Sequence, residues 1–360
     1  MAPPRHVVVC GAGVVGASVA YFLARRGVAV TVVERSGVAC AASGKSGGFL
    51  ALDWCDDSPL GPLARASFAL HAELARDLGT DYGYRRMETF MLTARERGPV
   101  PGGHRVPAPP WLDGGGVVTA ALGSTETTAQ VDPAGFTAAL IDAARSRGCA
   151  LRIGVVDDVI QRDGAAGGVR VDGEPIEADA VVLAMGPWTG RLARRLRLPR
   201  IRGLKGHSIT LAAAEVPPHA LFVDYRTADG RHLEPEIFPR PDGSVYVCGM
   251  ADPQPLPDSP DAIEVSAEAC AVLAGAAARV SSTLAAAPIE RRQACYRPVT
   301  DDGLPLIGRI PGAAGAYVAT GHGPWGMLNA PATGRALAEL IVDGAASSVD
   351  LRPFDPARAP

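Results

Sequence analysis

The chain has 360 residues, more than one simple core usually fills, so two lobes or one large lobe with an insertion are expected. Its 35 basic and 38 acidic residues leave a formal net charge of −3, which argues against a nucleic-acid binder or a protein drawn to anionic membranes. Seven scattered cysteines (Cys10, Cys40, Cys55, Cys149, Cys248, Cys270 and Cys295) form no CxxC pair and no zinc-ligand spacing, so no disulfide or metal scaffold is expected.

The opening MAPPRHVVVCGAG carries an apolar run too short for a signal peptide, and no stretch approaches the ~18 apolar residues of a membrane span. A cytoplasmic protein is the expectation. HVVVC (6–10) reads as a buried parallel strand, Gly13 to Arg26 as a helix stopped by Gly27, and VAVTVV (28–33) as a second strand ending at Glu34. Together they make a βαβ unit. A helix is predicted over 64–78, then a proline- and glycine-rich surface excursion from 99 to 117.

Asp132 and Pro133 mark a helix start, one as cap and the other at the first helical position, and that helix runs to Gly148. A strand is predicted over 150–160, a hairpin over 169–178 across Asp172-Gly173, and a buried strand over 180–186 ending in a glycine turn at Gly186. Segments 208–212, 220–225, 234–239 and 244–249 read as antiparallel strands, and 261–280 as an alanine-rich helix. A last strand, AYVAT (316–320), leads through Gly321-His322-Gly323 into a helix ending near Gly344.

Gly11, Gly13 and Gly16 supply the G-x-G-x-x-G spacing between the first strand and its helix, with an acidic residue, Glu34, closing the next strand. In that context the pattern reads as a dinucleotide site. Gly11 permits the turn, Gly13 admits a pyrophosphate, Gly16 lets helix and strand pack closely, and Glu34 suits ribose hydroxyls. The pattern does not separate FAD from NAD. The second glycine-dense strand-to-helix junction, ATGHGPWGMLNAPATG (319–334), favours a flavin, whose reduced ring a helix N-terminus stabilises. An NAD-dependent dehydrogenase leaves that junction unexplained.

The chain resembles the D-amino-acid oxidase superfamily of FAD enzymes, the glycine oxidase and sarcosine oxidase group. The stretches that carry this are the first βαβ unit, AASGKSGG (41–48), VDPAGF (131–136), ADAVVLAMGPW (178–188), CYRPVTDDGLPLIG (295–308) and GHGPWGMLNAPATG (321–334). The resemblance implies an α/β fold with a Rossmann-type FAD lobe, discontinuous over 1–85, 130–206 and 289–360. A substrate lobe on an antiparallel sheet would take 86–129 and 207–288. It further implies that Val14 and Val15 meet the pyrophosphate and that Glu34 and Arg35 meet the adenosine ribose. Ala42, Ser43, Gly47, Gly48, Phe49 and Gly186 would line the flavin, Val156 would hold the adenine, and His322, Gly323, Pro324, Trp325, Gly326, Met327 and Leu328 would wrap its pyrimidine end.

By the same resemblance Arg297 binds a substrate carboxylate, a planar pairing that lysine cannot match; the alternative is a structural ion pair with Asp301 or Asp302. A second arginine of glycine oxidase is replaced by Pro324, and Trp325 beside it makes a more apolar, closed pocket. Strand alternation puts Glu234, Glu236 and Phe238 on one face, where Glu236 either pairs with a cationic amine or sits on a solvated edge. Cys295 stands where sarcosine oxidases attach flavin covalently, whereas glycine oxidase has no cysteine there; the other reading is a buried small apolar residue. His207 reads as structural, and Lys45 as either flavin-facing or solvated.

The implied activity is oxidation of an amino acid or related amine, with hydride passing from the α-carbon to flavin N5 and the imine hydrolysing. No dedicated base is required if the amine enters neutral. Oxygen or another acceptor would take the electrons. A flavoprotein with an assembly or trafficking role and no turnover is the remaining alternative.

Overall fold

A computed structural model describes residues 3–100, 105–193, 195–214 and 216–358. Part of the proline- and glycine-rich excursion, 101–104, lies outside these residues, and the neighbouring 105–110 has no regular structure.

Two large sheets organise the chain. The first has six strands in the order Leu306–Arg309, Ala316–Thr320, Ala180–Leu183, His6–Cys10, Ala29–Glu34 and Ala150–Ile153, all parallel except the first. Strands covered on both faces read as continuous apolar runs, as VVV and AVVL do here. Their alternation divides two cores. Val7 and Val9 face the helices Val14–Arg25, Gly61–Asp77, Pro133–Arg145 and Gly326–Val342. Val8 and Cys10 face the three-stranded layer Val156–Arg162, Ala165–Val171 and Glu174–Glu177. Asp132 caps its helix as expected, its Oδ1 accepting from Gly135 N at 2.5 Å.

The second sheet runs Ile289–Thr300, Ile201–Ala212, Ser244–Asp252, Glu236–Pro239, His219–Arg226, Glu88–Arg95 and Val117–Gly123, with His232–Leu233 added beside His219–Arg226. It is antiparallel except between His219–Arg226 and Glu88–Arg95. One face packs on the helix Ala267–Val280. The other carries Phe222, Phe238, Tyr246 and Cys248 toward the first lobe.

Three expectations shift. The strand foreseen over 150–160 is two strands: Gly154 N is still tied to the first sheet, donating to Glu34 O at 2.8 Å, whereas Val155 N donates to Asp172 Oδ1 at 3.1 Å where the chain passes to the three-stranded layer. The helix foreseen from 261 begins at Ala267. Ser266 caps it, Oγ accepting from Ala269 N at 3.2 Å, while Pro260–Ala262 forms a separate short turn. Finally, Ile201–Ala212 crosses the expected boundary at 206, and Ile289–Thr300, expected in the FAD lobe, pairs along the length of Ile201–Ala212. The second sheet therefore draws strands from both of the expected lobes.

The helix Gly326–Val342 contains Pro331, which has no N–H for the carbonyl of Met327 four residues earlier. The neighbouring helix Gly61–Asp77 supplies the missing partners. His71 Nε2 lies 3.0 Å from Met327 O and 3.2 Å from Leu328 O, and Ala332 N donates to Ser67 Oγ at 3.0 Å. Ser67 and His71, one turn apart, thus hold the opening turns of this helix against the first lobe's core. Burial lowers the His71 pKa to about 4, so the ring is neutral near pH 7 and donates from Nε2.

Candidate active site

A cavity of about 640 Å³ lies between the two lobes. One end is built largely from backbone. Gly11 sits at φ +107°, where an added Cβ would come within 2.5 Å of Ala184 O; a Cβ on Gly16 would lie 2.0 Å from Gly11 O. Gly11 thus permits the close approach of the turn to the end of Ala180–Leu183 and lines the cavity, whereas Gly16 lets the helix pack on the turn and does not line it. Gly13 differs: a Cβ there would meet only Ser43 Oγ, at 3.1 Å, and the residue opens on the cavity. As N-cap it offers its helix no side-chain acceptor. Val14 N donates to Ser43 Oγ at 2.9 Å, and Val14 and Val15 face the cavity at the helix's positive end.

Glu34 is already aimed. Its Oε2 accepts from Ala12 N at 2.8 Å and its Oε1 from Ser36 N at 3.1 Å. Arg35, Ala42, Val156 and Gly186 line the same end. Gly47 and Gly48 make a close passage: a Cβ on Gly47 would strike the Phe238 ring at 2.3 Å, and one on Gly48 the Val131 carbonyl at 1.9 Å. Across the cavity stand His322, Gly323, Pro324, Trp325, Gly326 and Met327. Leu328, expected beside them, is fully buried in the helical core and absent from the lining; helix periodicity turns it inward.

These residues fit FAD. A helix N-terminus whose N-cap residue, Gly13, brings no side chain suits a pyrophosphate, Glu34 suits a ribose, and among the described residues neither ring nitrogen of the buried His322 has a protein partner. Burial lowers the His322 pKa to about 4, leaving a neutral ring. A strap from the second lobe crosses nearby. Arg35 Nη1 donates to Asp258 O at 2.6 Å, Trp188 Nε1 to Pro257 O at 2.9 Å, and Tyr296 OH to Pro255 O at 2.8 Å.

The other end is made of side chains. Arg297 projects from Ile289–Thr300, and its guanidinium lies over Gly206, whose added Cβ would be 3.3 Å from Nη2. The alternative of an ion pair with Asp301 or Asp302 does not hold: Asp301 pairs with Arg202 at 2.8 Å and Asp302 with Arg358 at 2.7 Å. Among the described residues, no carboxylate lies within 4.0 Å of Arg297.

Glu236 is not on a solvated edge. Its strand lies inside the second sheet, between Ser244–Asp252 and His219–Arg226, and its half-buried carboxylate faces the cavity. Burial pushes its pKa up, against lowering by the Cys248 thiol, 3.4 Å from Oε2, and by the charge of Arg297. Phe49, Trp54, Phe222, Phe238 and Trp325 form the walls, Trp54 lying 4.9 Å from Phe222 and 6.3 Å from Trp325 between ring centroids. Trp54 and Phe222 escape the sequence reading. Phe222 sits opposite Glu236 across a strand pair, a register that only pairing reveals; Trp54 is in an aperiodic loop.

Cys295 and Lys45 also line the cavity, and the Lys45 carbonyl accepts from Tyr246 OH at 2.7 Å. His207 also lines the cavity. Its Nδ1 lies 3.1 Å from Met250 O, and Nε2 is buried without a protein partner among the described residues.

Comparison with known proteins agrees with FAD as the cofactor. The model of the family described as FAD dependent oxidoreductase matches residues 6–340. A Schizosaccharomyces pombe protein named as an oxidoreductase is 33% identical, the alignment covering 99% of each chain. Glycine oxidase of Geobacillus kaustophilus is 29% identical, over 97% of this chain and 95% of its own. A crystal structure of glycine oxidase from that organism superposes with a TM-score of 0.81 over 100% of both chains at 25% identity. L-proline dehydrogenase from P. horikoshii, at 21% identity and a TM-score of 0.80 over 99% of this chain and 98% of that one, shares the fold. Among the described residues no helix is long and apolar enough to cross a membrane. With an FAD family replacing the NAD alternative, the chain belongs to the FAD-dependent oxidoreductases of the D-amino-acid oxidase superfamily.

Proposed function

We propose that the protein oxidises an amino acid, or a closely related carboxylate-bearing amine, to an imine that water hydrolyses. FAD, when bound, supplies a two-electron acceptor that takes hydride at its N5. Gly11, Gly13, Val14 and Val15 would hold its pyrophosphate. Glu34 and Arg35 would hold the ribose, Val156 the adenine, and Ala42, Ser43, Gly47, Gly48, Phe49, Gly186 and the 322–327 segment the flavin.

The observation that carries this reading is Arg297, a half-buried guanidinium facing the cavity with no protein carboxylate within 4.0 Å among the described residues. A buried charge without a partner is costly unless a ligand meets it, and a carboxylate matches guanidinium in two parallel hydrogen bonds. With the carboxylate so fixed, the aromatic walls limit how the rest of the molecule turns. Orienting the reacting C–H bond is then this chain's main contribution to rate. The walls also exclude water from the reacting carbon.

The test is anaerobic bleaching of the purified yellow protein by a panel of amino acids and amines, each paired with its decarboxylated analogue. Bleaching by an amino acid, much weaker with its decarboxylated partner, is expected. Equal bleaching by both, or none across the panel, would overturn the reading. Oxygen uptake and dye reduction, measured in parallel, distinguish oxygen from another electron acceptor.

A further inference from the structure

We propose that Glu236 is the counter-charge to the substrate's ammonium group and the acceptor of its proton, so that the site takes amino acids as zwitterions and generates the neutral amine itself. This rests on the carboxylate reading of Arg297. It extends that reading from an anion site to a dipolar one.

Glu236 and Arg297 face the same cavity from different strands, yet they are not within ion-pair distance of each other. Two opposite charges held apart across one pocket complement a ligand whose own charges are separated. If the two served only each other, contact would be the favourable geometry, since each loses hydration. Instead, among the described residues, Glu236 accepts one weak bond, from the Cys248 thiol. The walls around it are Phe222, Phe238 and Phe49, which cannot satisfy a carboxylate but do attract a cation. Ile237, next in the chain, points to the opposite core, so Glu236 is committed to the cavity face by strand alternation.

The proton transfer balances simply. One N–H bond of the ammonium breaks, its electron pair stays on nitrogen as the lone pair, and the proton bonds to a Glu236 carboxylate oxygen. A neutral amine, with that lone pair available, can then lose hydride from the adjacent carbon. The charged and titratable groups facing Glu236 are Cys248 on Ser244–Asp252, Arg297 on Ile289–Thr300 and Glu234 on its own segment; Phe222, opposite on His219–Arg226, is neutral. Burial raises the Glu236 pKa above its ordinary value of 4.5, which makes the carboxylate a stronger proton acceptor than a solvated one.

Two inert probes isolate the ammonium contact: trimethylammonioacetate and its carbon isostere 3,3-dimethylbutanoate, which lacks the ammonium charge, titrated calorimetrically into the FAD-loaded protein. They share shape and carboxylate and differ by one positive charge. Glu236→Gln should weaken the ammonium probe about tenfold or more and leave the isostere within about twofold. Equal losses, or none, would overturn the proposal. Should that variant fold poorly, the wild-type protein decides: affinity for the ammonium probe should fall as pH drops through the raised Glu236 pKa, while the isostere's does not fall in step. Parallel curves would overturn it. Loss of isostere binding in Arg297→Ala tests the carboxylate reading separately. For the proton transfer, the acid limb of the flavin-bleaching rate should move alkaline in Glu236→Gln; an unmoved limb would refute that role.

Discussion

The two ends of the cavity are made of different material. At the cofactor end the chain presents glycines, helix-terminal amides and one carboxylate held by two backbone N–H groups. At the substrate end it presents a guanidinium, a carboxylate and five aromatic rings brought in by separate strands and loops. A backbone surface recognises what every member of a cofactor class shares, namely phosphate and ribose. A side-chain surface can be exchanged residue by residue on an unchanged frame, so one fold hosts many substrates.

The glycines give the sharpest way to break this division. Gly16→Val places a branched side chain against the Gly11 carbonyl, 2.0 Å from where its Cβ must go. Overpacking on that scale should destabilise the fold by about 3 kcal/mol or more, read from the urea midpoint. Gly13→Val meets only Ser43 Oγ at 3.1 Å, so it should remain folded yet purify colourless. Similar destabilisation of both variants, or stoichiometric FAD in Gly13→Val, would break the assignment.

Arg297→Ala probes the other end. Removing a buried charged partner of a carboxylate should cost about 2–4 kcal/mol in kcat/KM on the amino acid that bleaches the flavin. FAD content should stay normal, because the variant leaves the backbone end intact. Unchanged kcat/KM would remove the carboxylate role; lost FAD would show that the two ends are not separable.

The same difference in material decides which features are legible in the amino-acid sequence. Backbone requirements leave local marks. Asp172-Gly173 sits at φ +50° and +83°, as the tight hairpin turn demands, and Asp132-Pro133 begins its helix. The glycine spacing and Glu34 likewise lie within one short segment. Side-chain constellations do not: Glu236, Phe222, Cys248 and Arg297 meet only through sheet register across the second sheet. The edge strand Ile289–Thr300 hides its first half in the charges of Glu290, Arg291 and Arg292, which are exposed and spoil any apolar alternation. Ser266 is a competent cap in plain view, but the alanine content on both sides of it reads as one longer helix.

A pH experiment tests how firmly the helix behind the cofactor end is held. His71 has its pKa lowered to about 4, chiefly by burial and despite the Met327 and Leu328 carbonyls, which favour the charged ring. With the folded pKa below the unfolded value of about 6.5, its contribution is fully present above that value. It is lost as pH falls toward 4. The pH-linked loss is at most about 3 kcal/mol, seen as a falling urea midpoint. In His71→Gln, which keeps a donor for the carbonyls without titrating, the midpoint should fall less over the same window. An identical pH dependence in both proteins would place the titrating group elsewhere.

The smallest expected effect is at Cys295, where the two ends of the cavity come closest in chemistry. A covalent flavin would need the thiolate, and the neighbourhood contains cations that favour it: Arg297 and Lys45 both lower the pKa. Burial is the larger influence and pushes the thiol above its ordinary value of 9.0. Cys295 is half-buried on a strand beside Gly206, so it behaves as a small apolar lining residue with little thiolate at neutral pH. Acid precipitation of the yellow protein should therefore give a colourless pellet whose intact mass is that of the unmodified polypeptide. Cys295→Ser should keep its FAD and lose less than about 1 kcal/mol of stability. A yellow pellet that turns colourless in Cys295→Ser would mean that bound cofactor overrides the burial of the thiol, and that this side chain belongs to the cofactor end after all.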